Sequence, residues 1–214
     1  MTTKTHTEDA GSDEYRRAIA LRSASLSTGL STGLSIGLKV GGVALFVALT
    51  VAAARVKVPL PFTPVPMTLQ PMAVLLAGAV LGPGLGAISQ LTYIALGLSG
   101  VPVFAGSPGA GPLVMIGPTG GYLASYPFVA FVVGKLIRRA KGPVTTTLSM
   151  LVGLSIIYNF GVAHLALFLN RSLGDALSLG VAPFLVADLI KVAIASALVV
   201  GWHSITRSSA MSSD

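Results

Sequence analysis

The sequence predicts an all-α integral membrane protein, a six-transmembrane-helix bundle with a structured outer loop between its third and fourth helices. Three observations carry that prediction. Only 10% of the 214 residues are charged and 53% are hydrophobic, whereas a water-facing surface needs roughly 25% charged residues. Mean hydropathy is +0.82. The apolar runs are continuous and close to the roughly 20 residues that cross hydrocarbon as a helix, where a transmembrane barrel would alternate.

Residues 1–34 are polar, charged and rich in Ser and Thr, and are predicted to form a cytoplasmic N-terminal extension. They lack the short basic segment, immediate apolar run and small-residue cleavage site of a secretory signal. The segment 27–38 reads STGL-STGL-SIGL, which sets Gly29, Gly33, Gly37 and Gly41 on one helical face. Small residues four apart permit close helix approach in lipid; a low-complexity lead-in to the first span is the plainer reading. The membrane domain is predicted over 35–203, followed by a cytoplasmic tail at 204–214.

Spans are predicted over 36–54, 67–81, 84–98, 120–137, 144–169 and 181–202. The second and third are short and joined by the tight turn Leu81-Gly82-Pro83-Gly84. Ahead of them, VPLPFTPVPMTLQP at 58–71 carries Pro59, Pro61, Pro64, Pro66 and Pro71, so its first half is predicted to be extended and stiff. The stretch VPVFAGSPGAGPLVMIGPTG at 101–120 is uncharged, partly apolar and rich in Gly and Pro. It is predicted to fold back over the bundle mouth, since irregular backbone at membrane depth must line a cavity or be buried in protein.

Lysine and arginine placement sets the orientation. With the N-terminus inside, the inner side receives Lys4, Arg16, Arg17, Arg22, Lys39, Lys135, Arg138, Arg139, Lys141 and Arg207, and the outer side Arg55, Lys57 and Arg171. Both termini are therefore predicted to be cytoplasmic. The net charge of +7 is explained by these inner connections rather than by nucleic-acid binding. The absence of cysteine excludes thiolate chemistry and thiolate metal sites. Neither a Walker A loop, an HExxH motif nor a GxSxG elbow occurs, so the chain is not predicted to be an enzyme, and no cofactor or metal is expected.

The most informative residues are Asp188 and Lys191 in the last span. A charge at mid-helix opposes insertion by about 2.5–3.5 kcal/mol, and intramembrane charges mark function by default. Three positions apart, the two heads share a helix face. Counting from Val181 at 1.5 Å per residue, Asp188 is expected roughly 10 Å below the outer boundary and Lys191 a turn deeper. Gln70, Tyr122 and Asn159, the last beside Tyr158, reach the same outward layer by similar arithmetic, and each alone also reads as an interhelical hydrogen bond or interfacial anchor. Gln90 and Tyr93 are expected lower, as packing or gating residues. His164 is read as structural, and Met67, Met72 and Met115 as packing residues, the last a candidate pocket liner. Trp202 reads as an interfacial anchor.

Four stretches together resemble the BioY family, the biotin-specific S components of energy-coupling-factor (ECF) transporters: VPLPFTPVPMTLQP at 58–71, GLSGVPVFAG at 97–106, GPTGGYL at 117–123 and DLIK at 188–191. The resemblance spans roughly 36–203; SPGAGP at 107–112 is more proline-rich than the glycine-dominated loop of that family. It implies a substrate-binding subunit in the bacterial inner membrane that captures biotin from outside for import. Asp188, Lys191, Gln70, Asn159, Tyr122 and the loop backbone at Gly121 would then be ligand contacts. It further implies a transmembrane coupling (T) subunit and cytoplasmic ABC-type ATPases as partners, with Ala44, Ala48 and Ala52 on the first span as the small-residue face toward the coupling subunit. The residues alone leave three alternatives open: an S component for another vitamin, a proton-coupled small-solute carrier, and a membrane enzyme.

Overall fold

The structure, a computed structural model, describes residues 35–105, 111–139 and 142–211. Helix α1 covers Ser35–Arg55. Two short strands follow, β1 (Lys57–Val58) and β2 (Met67–Thr68), and then helices α2 (Gln70–Leu98), α3 (Leu113–Ile116), α4 (Gly120–Arg139), α5 (Pro143–Leu169), α6 (Leu173–Gly180) and α7 (Leu185–Met211). Five of these, α1, α2, α4, α5 and α7, are long and apolar enough to cross a membrane. The packing below is that of the compact unit Gly42–Asp214. The predicted 1–34 extension, with most of the tetrapeptide repeat, lies outside the described residues.

Helix α2 is folded back on itself. A straight helix would hold Gln70 and Tyr93 about 34 Å apart, yet Gln70 Nε2 donates a 2.8 Å hydrogen bond to the Tyr93 hydroxyl. The reversal occurs at Gly82, with φ 79° and ψ −178°, a backbone region essentially reserved for glycine. Pro83 follows and removes a helical donor. The two arms, 70–81 and 83–98, pack together and against α4, and the Arg138 side chain lies where a Gly82 side chain would be. This is the tight turn the sequence predicts.

The core of the unit lies between α2, α4 and α5, with Val74, Leu75, Val129, Val133, Met150 and Leu165 fully or nearly buried. Side chains as large as Leu49, Ile88, Leu148, Leu167, Val186 and Ile190 face outward. That outer surface is too apolar for water and fits lipid. Polar groups inside are paired: Gln90 Nε2 donates to Thr50 Oγ1 at 3.3 Å, joining α1 to α2, and Thr50 Oγ1 donates to the Phe46 carbonyl at 2.8 Å. Among the described residues, every buried side-chain nitrogen and oxygen has a hydrogen-bond partner, as polar groups at membrane depth require.

Three expectations change. The proline-rich segment is not one extended run: β1 and β2 pair antiparallel, Lys57 opposite Thr68 and Val58 opposite Met67, so 57–68 forms a doubled strap. The last span does not begin at Val181. Residues before it form α6, capped by Ser172 Oγ, which accepts from the Asp175 N–H at 3.1 Å; the chain then turns through 181–184 before α7 starts. Finally, α7 continues past Trp202 to Met211, through most of the predicted tail.

Candidate ligand-binding site

A cavity of about 260 Å³ opens at the end of the bundle where α1 and α5 finish and α2, α4 and α7 begin. The strap forms one wall through Val65, Met67 and Thr68, and the segments flanking 106–110 contribute Ala105, Leu113, Val114 and Gly117. Helices supply Tyr122 and Tyr126 from α4, Ile157 and Tyr158 from α5, and Asp188 and Lys191 from α7. The lining is mostly apolar and aromatic with a few convergent polar groups, the composition of small-molecule sites. Gln70, Thr119 and Asp188 lie at or beside the first turns of α2, α4 and α7, so three positive helix ends converge on the space.

Two tethers secure the wall formed by the strap: Thr63 Oγ1 donates to the Leu179 carbonyl at 2.8 Å, and Lys191 Nζ to the Thr68 carbonyl at 2.7 Å. At the base of the strap, Lys57 Nζ donates to the Ala105 carbonyl at 3.0 Å, and the Arg55 guanidinium to the Pro102 carbonyl. The segment after α2 is thereby drawn across toward the strap.

Asp188 and Lys191 form an ion pair with Oδ1 and Nζ 2.6 Å apart. The two residues are only 4% and 8% exposed. Tyr158, from α5, donates its hydroxyl to Asp188 Oδ2 at 2.7 Å. Each carboxylate oxygen thus accepts one bond from the protein. A carboxylate has about four acceptor positions and an ammonium three donors, so two acceptor positions and one N–H remain. Asp188 sits in the first turn of α7, closer to the start of its helix than the sequence count predicts because that helix starts later. A negative charge there is favoured by the helix dipole. A buried pair of this kind contributes little to stability relative to apolar residues of similar volume, which directs attention to what it can bind.

The other predicted contacts divide. Gln70 lines the cavity with Nε2 bonded to Tyr93. Tyr122 lines it too, with its hydroxyl donating to the Gly180 carbonyl at 2.8 Å. Its ring fits between Gly161 and Gly180, where any added side chain would collide with it; it offers the cavity its aromatic surface. Asn159 is not brought to the cavity. It is exposed, and its Nδ2 donates to the Ser155 carbonyl of its own helix at 2.7 Å. The inward stripe of α5 runs Ser149, Gly153, Ile157, Gly161, Leu165, and two positions from Ile157 lies the opposite face. Gly121 is buried against the Phe160 carbonyl and His164, a close approach of α4 to α5 rather than a cavity wall.

Tyr93, expected low in the bundle, instead reaches the level of Gln70, from which it accepts a hydrogen bond while donating to the Val103 carbonyl at 3.2 Å. His164 is structural: its Nε2 lies 2.9 Å from the Gly117 carbonyl. Met67 lines the cavity and Met115 does not. Sequence reasoning missed Tyr158, Tyr126, Phe184 and Thr68. The signal for Tyr158 was present, since it adjoins the small-residue stripe that faces inward on α5.

The BioY family model matches residues 31–208. A relative in Pyrococcus horikoshii, a probable biotin transporter BioY, is 46% identical over 153 residues, covering 72% of this chain and 88% of its own. The biotin transporter BioY of Thermotoga maritima is 41% identical over 71% of this chain and 88% of its own. A solved structure, the crystal structure of the S-component for biotin from an ECF-type ABC transporter, superposes with a TM-score of 0.74 at 26% identity. That match covers 79% of this chain and 93% of the other.

Proposed function

This chain belongs to the BioY family, and we propose that it is the biotin-binding membrane subunit, the S component, of an ECF uptake transporter. It is a transporter subunit and not an enzyme. The observation that carries the reading is the buried Asp188–Lys191 pair lining a cavity that opens at the bundle end. The bicycle of biotin needs apolar walls, which Ile157, Phe184 and the rings of Tyr122 and Tyr126 provide. Its ureido ring carries two diverging N–H donors and a carbonyl, and an acceptor position left on Asp188 can receive one of the N–H groups. The ion pair is only 2.6 Å across, so one end of an elongated ligand meets it. The ureido end belongs there, because a second carboxylate beside Asp188 would be repelled. The valerate tail then extends along the strap toward Thr119 and the positive end of α4. Gln70 and Lys191 complete the polar contacts.

On this reading the two arms of α2 count as separate crossings, which with α1, α4, α5 and α7 makes six. Lys135, Arg138 and Arg139 lie at the end opposite Arg55, Lys57 and Arg171, which supports an inner-membrane protein with cytoplasmic termini and an outward-facing cavity. Energy for uptake comes from partners, a transmembrane coupling subunit and a pair of cytoplasmic ABC-type ATPases. Ala44, Ala48 and Ala52 are exposed along one face of α1, as a small-residue contact with the coupling subunit requires.

A competition panel on the purified protein tests the ligand. Labelled biotin should be displaced by unlabelled biotin and by analogues that keep the ureido ring, and not by other vitamins. Displacement by a chemically unrelated vitamin at equal or lower concentration would transfer the assignment to that compound. Asp188→Asn replaces a full acceptor set with a half-donor amide, and is expected to weaken biotin binding more than tenfold; unchanged affinity would remove Asp188 from the site.

A further inference from the structure

We infer that Tyr158 is a positioning residue for ligand recognition: by holding Asp188 Oδ2 it sets the carboxylate plane so that a free acceptor position faces the cavity to receive a ureido N–H. The inference rests on the biotin reading above and adds a residue that it does not use. Three observations carry it. The Tyr158 hydroxyl donates to Asp188 Oδ2 at 2.7 Å, while Lys191 holds Oδ1 at 2.6 Å, so the carboxylate is gripped at both oxygens from two different elements. Tyr158 stands on α5 and the pair on α7, so the grip is not a consequence of helix spacing, as the i,i+3 contact of the pair itself is. Tyr158 also lines the cavity beside Asp188, close enough to act on how the carboxylate is presented.

The physical argument concerns rotation. With Lys191 alone, a carboxylate can swing about its Cβ–Cγ bond and keep one oxygen on the ammonium, because that terminal torsion is broad. A second bond to the other oxygen removes the freedom. The acceptor positions that remain are then one on each oxygen, held in fixed directions for a ligand donor. A ring N–H has a fixed direction and cannot adapt to a swinging acceptor, so a cyclic urea gains from an acceptor whose direction is fixed as well. Tyr158 therefore acts on selectivity through Asp188 and not by touching the ligand's own polar atoms.

The test is a double-mutant cycle on the full chain purified in detergent, with biotin affinity measured for the parent, Tyr158→Phe, Asp188→Asn and the double variant. Loss of the phenol should weaken biotin binding roughly tenfold in the parent, the size expected of a hydrogen bond to a charged group, and less than twofold when Asp188 is already Asn. A purely structural tyrosine would lower affinity by the same factor in both backgrounds, and that result overturns the inference. If Asp188→Asn binds too weakly to measure, biotin analogues methylated at one or the other ureido nitrogen replace it in the cycle: Tyr158→Phe should then cost one of the two less than it costs biotin, and losses equal to that of biotin for both overturn the inference. Biotin binding by the parent together with additive effects leaves the proposed function standing and removes the role of Tyr158. Absence of biotin binding by the folded parent removes both.

Discussion

Lys191 has two partners from separate parts of the fold, Asp188 on its own helix and the Thr68 carbonyl on the strap. Replacing it with Met leaves a nearly buried carboxylate with only the Tyr158 hydroxyl to stabilise it. Removing one member of such a pair typically destabilises by about 3–5 kcal/mol, so Lys191→Met should lower the midpoint of thermal unfolding in detergent. The Asp188→Asn/Lys191→Met double variant, with no uncompensated charge, should recover much of that loss. A single variant that melts like the parent would mean that the pair is not sealed in the way described. At this scale the sequence was legible wherever a residue type was out of place. Asp188 and Lys191 announce themselves as charges in an apolar run. Asn159 misled because polarity alone does not say which way a side chain faces: α5 is apolar on its lipid side and its core side alike, so ordinary amphipathic periodicity is missing. Only the small residues at 149, 153 and 161 mark the inward stripe, and they put Tyr158 rather than Asn159 at the cavity.

The elements that build the cavity depend on a few backbone positions. Gly82 turns α2 at φ 79° with the Arg138 side chain packed against it. Gly82→Ala imposes strain of about 1–3 kcal/mol and displaces that arginine, so a lower melting midpoint is expected with biotin affinity nearly retained, because the turn is at the far end from the site. Gly161→Val has a different effect. The new side chain would occupy the space of the Tyr122 ring, pushing its hydroxyl from the Gly180 carbonyl and deforming the wall, and biotin binding should fall together with stability. Measured affinities equal to the parent would show that Tyr122 is not a wall of the site. The turn at Gly82 was legible because Leu-Gly-Pro-Gly is strong local punctuation. The later start of α7 was not, because the apolar VAPF at 181–184 runs on into the helix with no fall in hydropathy; its marker is the weaker Pro183. The strap was half legible. Its prolines exclude helix, but the pairing of β1 with β2 is a contact between separate segments that composition does not encode.

For the molecule as a whole, the arrangement divides into an end that holds the cavity and an opposite end that carries Lys135, Arg138 and Arg139. The chain has no cysteine, so orientation can be read directly from single introduced cysteines. Arg171→Cys should react with a membrane-impermeant maleimide on intact cells, and Arg139→Cys only after permeabilisation; the reverse pattern would invert the topology and close the cavity to the outside. Global architecture was the most legible level of all, since the scarcity of charge and the lengths of the apolar runs leave helices in lipid as the physical solution. The cavity itself was legible only as a shared depth of polar groups, because its volume arises from how strap, helix ends and tyrosines pack. Central to the account is that this folded space is a biotin site organised around Asp188. Calorimetric titration of the purified parent chain with biotin tests that most directly. One biotin bound per chain, with the heat lost when Asp188 is Asn, is the predicted result; a folded parent that takes up no biotin would contradict it.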